Sequence, residues 1–74
     1  MIHELDLVAL AENLPEYGLE AGDIGTVVLV HQAGKGFEVE FATLSGETLA
    51  VVTVADTAIR AIGKREIAHV REVA

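Results

Sequence analysis

The sequence predicts an all-β fold, a small and strongly bent barrel built from five strands. Apolar residues recur with a period of two along most of the chain, which is typical of strands, rather than with the period of 3.6 expected for helices. Turn-forming Gly, Pro, Asn, Asp and Ser residues interrupt the apolar segments roughly every 8 to 12 positions. Since the chain has only 74 residues, it is expected to form one domain around a single core.

Five segments have the composition of strands. The third has the cleanest alternation, because Phe37, Val39 and Phe41 point to one side while Glu38 and Glu40 point to the other. Only three side chains are aromatic, so the core is expected to consist mainly of Val, Leu, Ile and Ala. The predicted strands are Leu5–Leu10, Ile24–His31, Phe37–Ala42, Thr48–Val54 and Ile59–Ile62.

Two of these strands are apolar on both sides. Ile24–His31 is long enough to bend and to contribute to both halves of a barrel, whereas Thr48–Val54 needs a cover for its second apolar face. Hairpin turns are predicted at Ala33–Gly36 and Leu44–Glu47, and a short helical turn at Ala55–Thr57 leads into the last strand.

A glycine turn precedes the long second strand. Gly22 and Gly25 flank Asp23, and glycine at such positions supplies either a positive φ or room for a close backbone approach, so this turn is interpreted as architectural. Gly18 and Gly46 are predicted to have the same structural role in their own turns. The alternative is a nest of N–H groups that binds an anion, and Asp23 and Glu20 would repel that anion.

The barrel is assigned to residues 1–63, and residues 64–74 form a C-terminal extension. This tail fits either a sixth strand or a helical turn with Ile67 and Val70 on one face, and the pattern does not choose between them. An added strand usually pairs with an exposed sheet edge of its own chain or of a neighbour. A homodimer is therefore one expected form of the protein.

The charge distribution limits the classes of partner. The net charge is −7, with ten acidic and one basic residue up to Ile59 and four basic residues after it. An acidic surface repels nucleic acid and attracts a basic protein partner. Alternatively, the negative charge only keeps the protein soluble. The absence of cysteine fits the cytoplasm, and no apolar run approaches the length of a membrane helix.

The chain offers little for catalysis or metal binding. His3, His31 and His69 lie in different elements without the spacing of metal ligands, so no metal and no cofactor is expected. Ser45 is the only serine and belongs to a turn, so it is not expected to act as a nucleophile. Glu38 and Glu40 are interpreted as the solvent-facing side of a strand rather than as a catalytic acid/base pair. We therefore predict that the protein is not an enzyme.

Three motifs occur in order along the chain: Leu14-Pro15-Glu16-Tyr17-Gly18-Leu19, Gly22-Asp23-Ile24-Gly25-Thr26-Val27-Val28 and Val39-Glu40-Phe41. Together they resemble a family of short uncharacterised bacterial proteins, the domain of unknown function DUF4926, over Leu5 to about Ile62. The resemblance implies an SH3-like or KOW-like barrel. It also implies an antitoxin or immunity role, in which the protein binds a small toxin-like partner.

These observations lead to a hypothesis of a non-catalytic protein-binding module. The acidic loop before the second strand, the acidic face of the third strand and a sheet edge would hold a basic partner. Tyr17 either packs over the barrel mouth or anchors that partner. The predicted contacts are Glu12, Glu16, Tyr17, Glu20, Glu38 and Glu40.

Two alternative functions remain at this point. A KOW-like nucleic-acid or ribosome-associated module would use the basic residues from Arg60 onward as phosphate contacts. An accessory subunit of a larger enzyme would need no site of its own. The cations concerned are Arg60, Lys64, Arg65 and Arg71.

Overall fold

The structure, a computed structural model, describes residues 1–74 and contains five strands and three single turns of 3-10 helix. The turns of 3-10 helix are Pro15–Tyr17, Gln32–Gly34 and Asp56–Ala58. The strands are β1 (Leu7–Leu10), β2 (Ile24–His31), β3 (Gly36–Ala42), β4 (Thr48–Ala55) and β5 (Ile59–Ala61).

All five strands belong to one antiparallel sheet with the order β4-β3-β2-β1-β5. The predicted all-β, five-stranded fold is therefore confirmed, and the order is consistent with the SH3-like fold that the resemblance implies. The sheet is not closed, because β4 and β5 form its two edges and do not pair with each other. No helix in the structure is long and apolar enough to cross a membrane.

Strand β2 connects the two halves of the sheet, as its length predicts. Ile24, Gly25 and Thr26 pair with β1, whereas the stretch from Thr26 to His31 pairs with β3. The register with β3 shifts between Val27 and Leu29, which marks a β-bulge, and bulges bend the strand that carries them.

The core lies on the inner face of the sheet. Phe37, Val39 and Phe41 of β3 are buried, which confirms the predicted alternation of this strand. On β4, Val52 and Val54 face the same core. The buried cluster consists of Val8, Leu10, Leu19, Val27, Phe37, Val39, Phe41, Val52, Val54, Ala58 and Ile59.

Gly25 fits the core because it lacks a side chain. A Cβ atom there would lie 2.5 Å from Cγ1 of Val39 and 2.8 Å from Cε1 of Phe41. Gly22, in contrast, has a φ of +94° and open space around it, so its requirement is conformational. The two glycines of this turn therefore meet different needs, a close approach at Gly25 and a positive φ at Gly22.

The first strand begins later than the sequence predicts. Leu5 has a φ of 72°, in the left-handed region, and its N–H donates to the carbonyl of Val27 from outside the ladder (2.7 Å). The turn between β2 and β3 also begins earlier than predicted, at Gln32, where Gln32 and Ala33 adopt positive φ before Gly34 does. Alternation of apolar residues locates strands but does not fix their last residues.

The C-terminal tail adopts neither of the two predicted forms. Lys64 and Arg65 form a turn, closed by a hydrogen bond from the N–H of Glu66 to the carbonyl of Gly63 (3.4 Å), and residues 67–74 have no regular secondary structure. The side chain of Ile67 is 95% exposed.

Candidate functional site

The loop between β1 and β2 carries four of the six residues predicted to contact a partner. Its first part is a small closed unit in which Leu14 and Leu19 exchange two backbone hydrogen bonds around the 3-10 turn Pro15–Tyr17. Gly18 ends that turn in the left-handed conformation, and Leu19 is buried in the core. The loop is therefore anchored to the core at Leu19.

The side chains of this loop mostly face solvent. Glu12, Glu16 and Glu20 are exposed, and Tyr17 is half-exposed. Of the four predicted contacts in the loop, Glu20 alone forms an ion pair, and its partner is Arg71. The loop thus presents an acidic surface in the position that the sequence predicts.

The second part of the loop holds Asp23 in place. The backbone of β1 fixes the turn, since Gly22 donates to the carbonyl of Leu10 (2.8 Å) and Leu10 donates to the carbonyl of Asp23 (2.9 Å). The N–H of Glu20 donates to Oδ2 of Asp23 (2.8 Å), and Asp23 returns a backbone bond to the carbonyl of Glu20. These bonds orient the Asp23 carboxylate before any cation reaches it.

Arg71 of the tail binds the Asp23 carboxylate. Its Nε donates to Oδ1 of Asp23 (2.8 Å) and its Nη2 to Oδ2 (2.6 Å), which is the side-on, two-bond geometry of an arginine fork. Nη2 also donates to the carbonyl of Gly18 (3.0 Å), and Nη1 lies 3.6 Å from Oε2 of Glu20. We call the Asp23 carboxylate, the Gly18 carbonyl and the Glu20 carboxylate the guanidinium site.

The electrostatics agree with this geometry. The hydrogen bond from Arg71 lowers the pKa of Asp23, burial of the carboxyl opposes this effect, and the hydrogen bond from Glu20 reinforces it. The same bond raises the pKa of Arg71. Asp23 therefore carries its charge over the whole physiological range.

The tail crosses the outer face of the sheet next to this site. A groove of about 290 Å³ lies between the tail and the sheet, and a second of about 350 Å³ lies nearer β1. The first groove is lined by Ile24 and Leu49 from the body and by Val70 and Val73 from the tail. The tail therefore lies over this face without filling the space beneath it.

The two carboxylates of β3 belong to a different part of the surface. Oε2 of Glu38 lies 2.8 Å from Nε2 of His31, which is hydrogen-bond distance. Glu40 accepts a hydrogen bond from the hydroxyl of Thr48 (2.6 Å). Glu38 faces Leu29 across the sheet, and Leu29 is six residues from Asp23, about 20 Å from the guanidinium site at the usual rise of a strand. The structure does not bring the six predicted contacts together.

The cations of β5 and the tail are partly neutralised within the chain. Arg60 forms two contacts of 2.8 Å with the carboxylate of Glu66, and this pairing lowers the pKa of Glu66. Arg71 is bound at the guanidinium site. Lys64 and Arg65 form no ion pair in the structure. No group of His, Asp and Glu side chains in the structure could hold a metal ion.

Sequence reasoning missed two residues of the site. It assigned Asp23 to the architecture of the glycine turn and Arg71 to the cations available for nucleic acid. The available signal was the contrast between an acidic loop and a basic tail, which predicts attraction between them without naming the pair.

The chain belongs to the family described as Domain of unknown function (DUF4926), whose model matches residues 4–61. This confirms the family predicted from the three motifs. The matched span includes all five strands and every acceptor of the guanidinium site, and it ends before the residue that fills the site. Searches of the curated proteins and of the solved structures find no significant match.

Proposed function

We propose that this protein is a non-catalytic protein-binding module that holds an extended, arginine-bearing segment of a partner against the outer face of its sheet. The observation that carries the proposal is the fork of Arg71 on Asp23. A planar guanidinium matches two carboxylate oxygens at once, whereas an ammonium group cannot, so the site selects arginine over lysine.

The tail has the properties of an occupant that a partner can replace. It has no strand or helix beyond Glu66, and its apolar side chains Ile67 and Val70 are 95% and 72% exposed. Space remains beneath it on the outer face. A segment that buries so little apolar surface opens at a low free-energy cost.

The span of the family match supports the same view. Gly18, Glu20 and Asp23 lie inside residues 4–61, whereas Arg71 lies outside them. The acidic half of the contact is thus part of the family domain, and the basic half is not. An arginine supplied by a second protein would complete the site in the same way.

A small toxin-like protein with a basic segment is the partner that we propose. The antitoxin or immunity role is the one implied by the family resemblance, and a net charge of −7 would speed the encounter with a basic partner. The test is to co-express the chain with the product of an adjacent gene and to ask whether Asp23→Asn abolishes co-purification while Glu4→Gln, at an exposed residue outside the predicted contacts, does not.

A direct test of the site uses a synthetic peptide with the sequence of residues 64–74 as a defined probe. In the wild type the tail competes with the peptide, whereas in Arg71→Gln the site is vacated. We expect the peptide to bind Arg71→Gln at least about tenfold more tightly than it binds the wild type in a calorimetric titration.

Two matched controls define the outcome. Adding Asp23→Asn to Arg71→Gln should remove binding, and a peptide carrying lysine in place of Arg71 should bind more weakly than the original. Equal binding of the arginine and lysine peptides, or retention of binding without Asp23, would show that the contact is only an internal brace.

A further inference from the structure

The two edges of the sheet differ in how they are protected. β5 spans only Ile59–Ala61 and carries Arg60, whose guanidinium is tied to Glu66 of the following turn. β4 spans the eight residues Thr48–Ala55 and has a free edge along its full length. A short edge with a charge resists pairing with another chain, and a long one without protection invites it.

Apart from one irregularity at Leu49, β4 has none of the usual features that blunt a sheet edge. It contains no charged residue, proline or glycine, although the chain as a whole carries 17 charged side chains among Asp, Glu, Lys and Arg. Its register with β3 is continuous from Gly36↔Ala55 to Phe41↔Ala50, and the single shift leaves Leu49 without a partner before Ala42 pairs with Thr48. The free edge is therefore uncharged throughout and regular from Ala50 to Ala55.

Exposed apolar side chains lie on the outer side of the same strand. Leu49 is 40% exposed and Val51 is 54% exposed, while Val52 and Val54 on the inner side are buried. A second strand added beside β4 would place its own side chains next to Leu49 and Val51 and would cover part of them. The edge thus offers backbone hydrogen bonds and apolar contact together.

The chemistry of the edge favours a second copy of this chain over a charged partner. Two chains of net charge −7 repel each other over most of their surfaces, and the uncharged strand is a place where they can approach closely. An antiparallel pair of identical strands is also self-complementary, since a two-fold axis gives each copy the same donors and acceptors.

The residues that flank β4 would fix the register of such a pair. Glu47 precedes the strand and Asp56 follows it. Only a pairing in which Val51 or Val52 faces itself across the two-fold axis keeps both carboxylates at or beyond the ends of the paired stretch. Any slip would carry a carboxylate of one copy against the apolar strand of the other, which costs desolvation energy.

We propose that β4 is the interface of a homodimer, in which two copies pair antiparallel through Thr48–Ala55 and form one continuous sheet. This inference rests on the sheet edge alone and does not depend on the guanidinium site. The carboxylates at the two ends of the interface approach each other, so the dimer should tighten as ionic strength rises.

The first test measures association by sedimentation equilibrium for the wild type, Val51→Lys and the matched control Leu44→Lys. Leu44 lies in the turn before β4 and is 94% exposed, so its substitution adds the same charge outside the strand. We expect a reversible wild-type dimer, a dissociation constant raised at least about tenfold by Val51→Lys, and little change in Leu44→Lys. Circular dichroism establishes that each variant is folded.

The second test uses the absence of cysteine from the chain. A single cysteine at position 50, 51, 52 or 53 can form a disulfide only with another copy, and directly opposed residues of an antiparallel pair lie within disulfide range. We expect one of these positions, the one that faces itself, to cross-link faster than its neighbours and faster than Leu44→Cys.

Three results would overturn the proposal. If the wild type remains monomeric at about 1 mM, β4 does not pair with a second copy, and its partner would be a strand of a different protein. A dimer equally stable in Val51→Lys and Leu44→Lys would have its interface elsewhere. Equal rates of cross-linking at every position, Leu44→Cys included, would indicate random collision.

Discussion

The two faces of the sheet are covered by different forces. On the inner face, Val8, Val27 and Val39 are completely buried in an apolar cluster, and such burial is non-directional and depends little on salt. On the outer face the tail is fastened by the ion pair of Arg71 with Asp23, which is directional and open to screening. The fold and the position of the tail can therefore be altered separately.

The largest expected effect comes from the centre of the inner face. Phe41 is fully buried, so Phe41→Ala removes a large apolar contact and leaves a cavity, and we expect it to lower the free energy of unfolding by about 3 to 5 kcal/mol. Leu49→Ala, on the outer face, should cost about 1 kcal/mol or less. Urea denaturation measures both, and equal losses would contradict the contrast between the faces.

A second effect on the inner face tests the close approach at Gly25. Gly25→Ala places a Cβ against Val39, Phe41 and the carbonyl of Glu40, and we expect a loss of about 1 to 3 kcal/mol. Gly36→Ala is the matched control, because the nearest atom to its Cβ is 3.6 Å away. It should be neutral or slightly stabilising, since alanine loses less backbone entropy in a strand than glycine does.

The smallest effect lies on the outer face. Asp23→Asn keeps the shape of the side chain and removes its charge, and we expect a loss of about 1 kcal/mol at neutral pH. Since the pKa of Asp23 is lowered in the folded protein, its contribution is complete above the unfolded value of about 3.9 and is lost as the pH falls through the lower folded value.

Urea midpoints of the wild type and Asp23→Asn, measured between about pH 2 and pH 6, test this dependence. The difference between the two midpoints should shrink as the pH falls. Arg71→Gln should loosen residues 67–74 in ¹⁵N relaxation measurements and leave the amide signal of Glu38, which lies toward the other end of the sheet, unchanged. If the difference in urea midpoint between wild type and Asp23→Asn stays constant down to the lowest pH, the charge of Asp23 does not stabilise the fold.

The inner face could be predicted from the sequence because local alternation encodes it. Phe37, Val39 and Phe41 identify the buried side of β3 by their spacing alone. The length of Ile24–His31 likewise predicts a strand shared by two neighbours, although not the position of its bulge, which depends on the facing strand.

The outer face could not be predicted in the same way. Arg71 and Asp23 are 48 residues apart, and a contact at that separation has no periodic signature in a single sequence. Glu38 and Glu40 share charge and exposure with the loop, so composition groups them with Glu20, although the sheet places them toward its other end. Pairings that depend on how the chain folds back must be read from the structure.

The pairing of β5 with β1 has a consequence for the order in which the protein folds. β1, β2, β3 and β4 pair with their neighbours in sequence, whereas Val8↔Ala61 and Leu10↔Ile59 join the two ends of the sheet. Closing so large a loop costs entropy before any contact repays it, so the hairpins should form early and β5 should dock last. During synthesis the edge of β1 therefore stays unpaired until almost the whole domain has left the ribosome. In the folded protein, β5 should be the first strand to exchange its amide hydrogens.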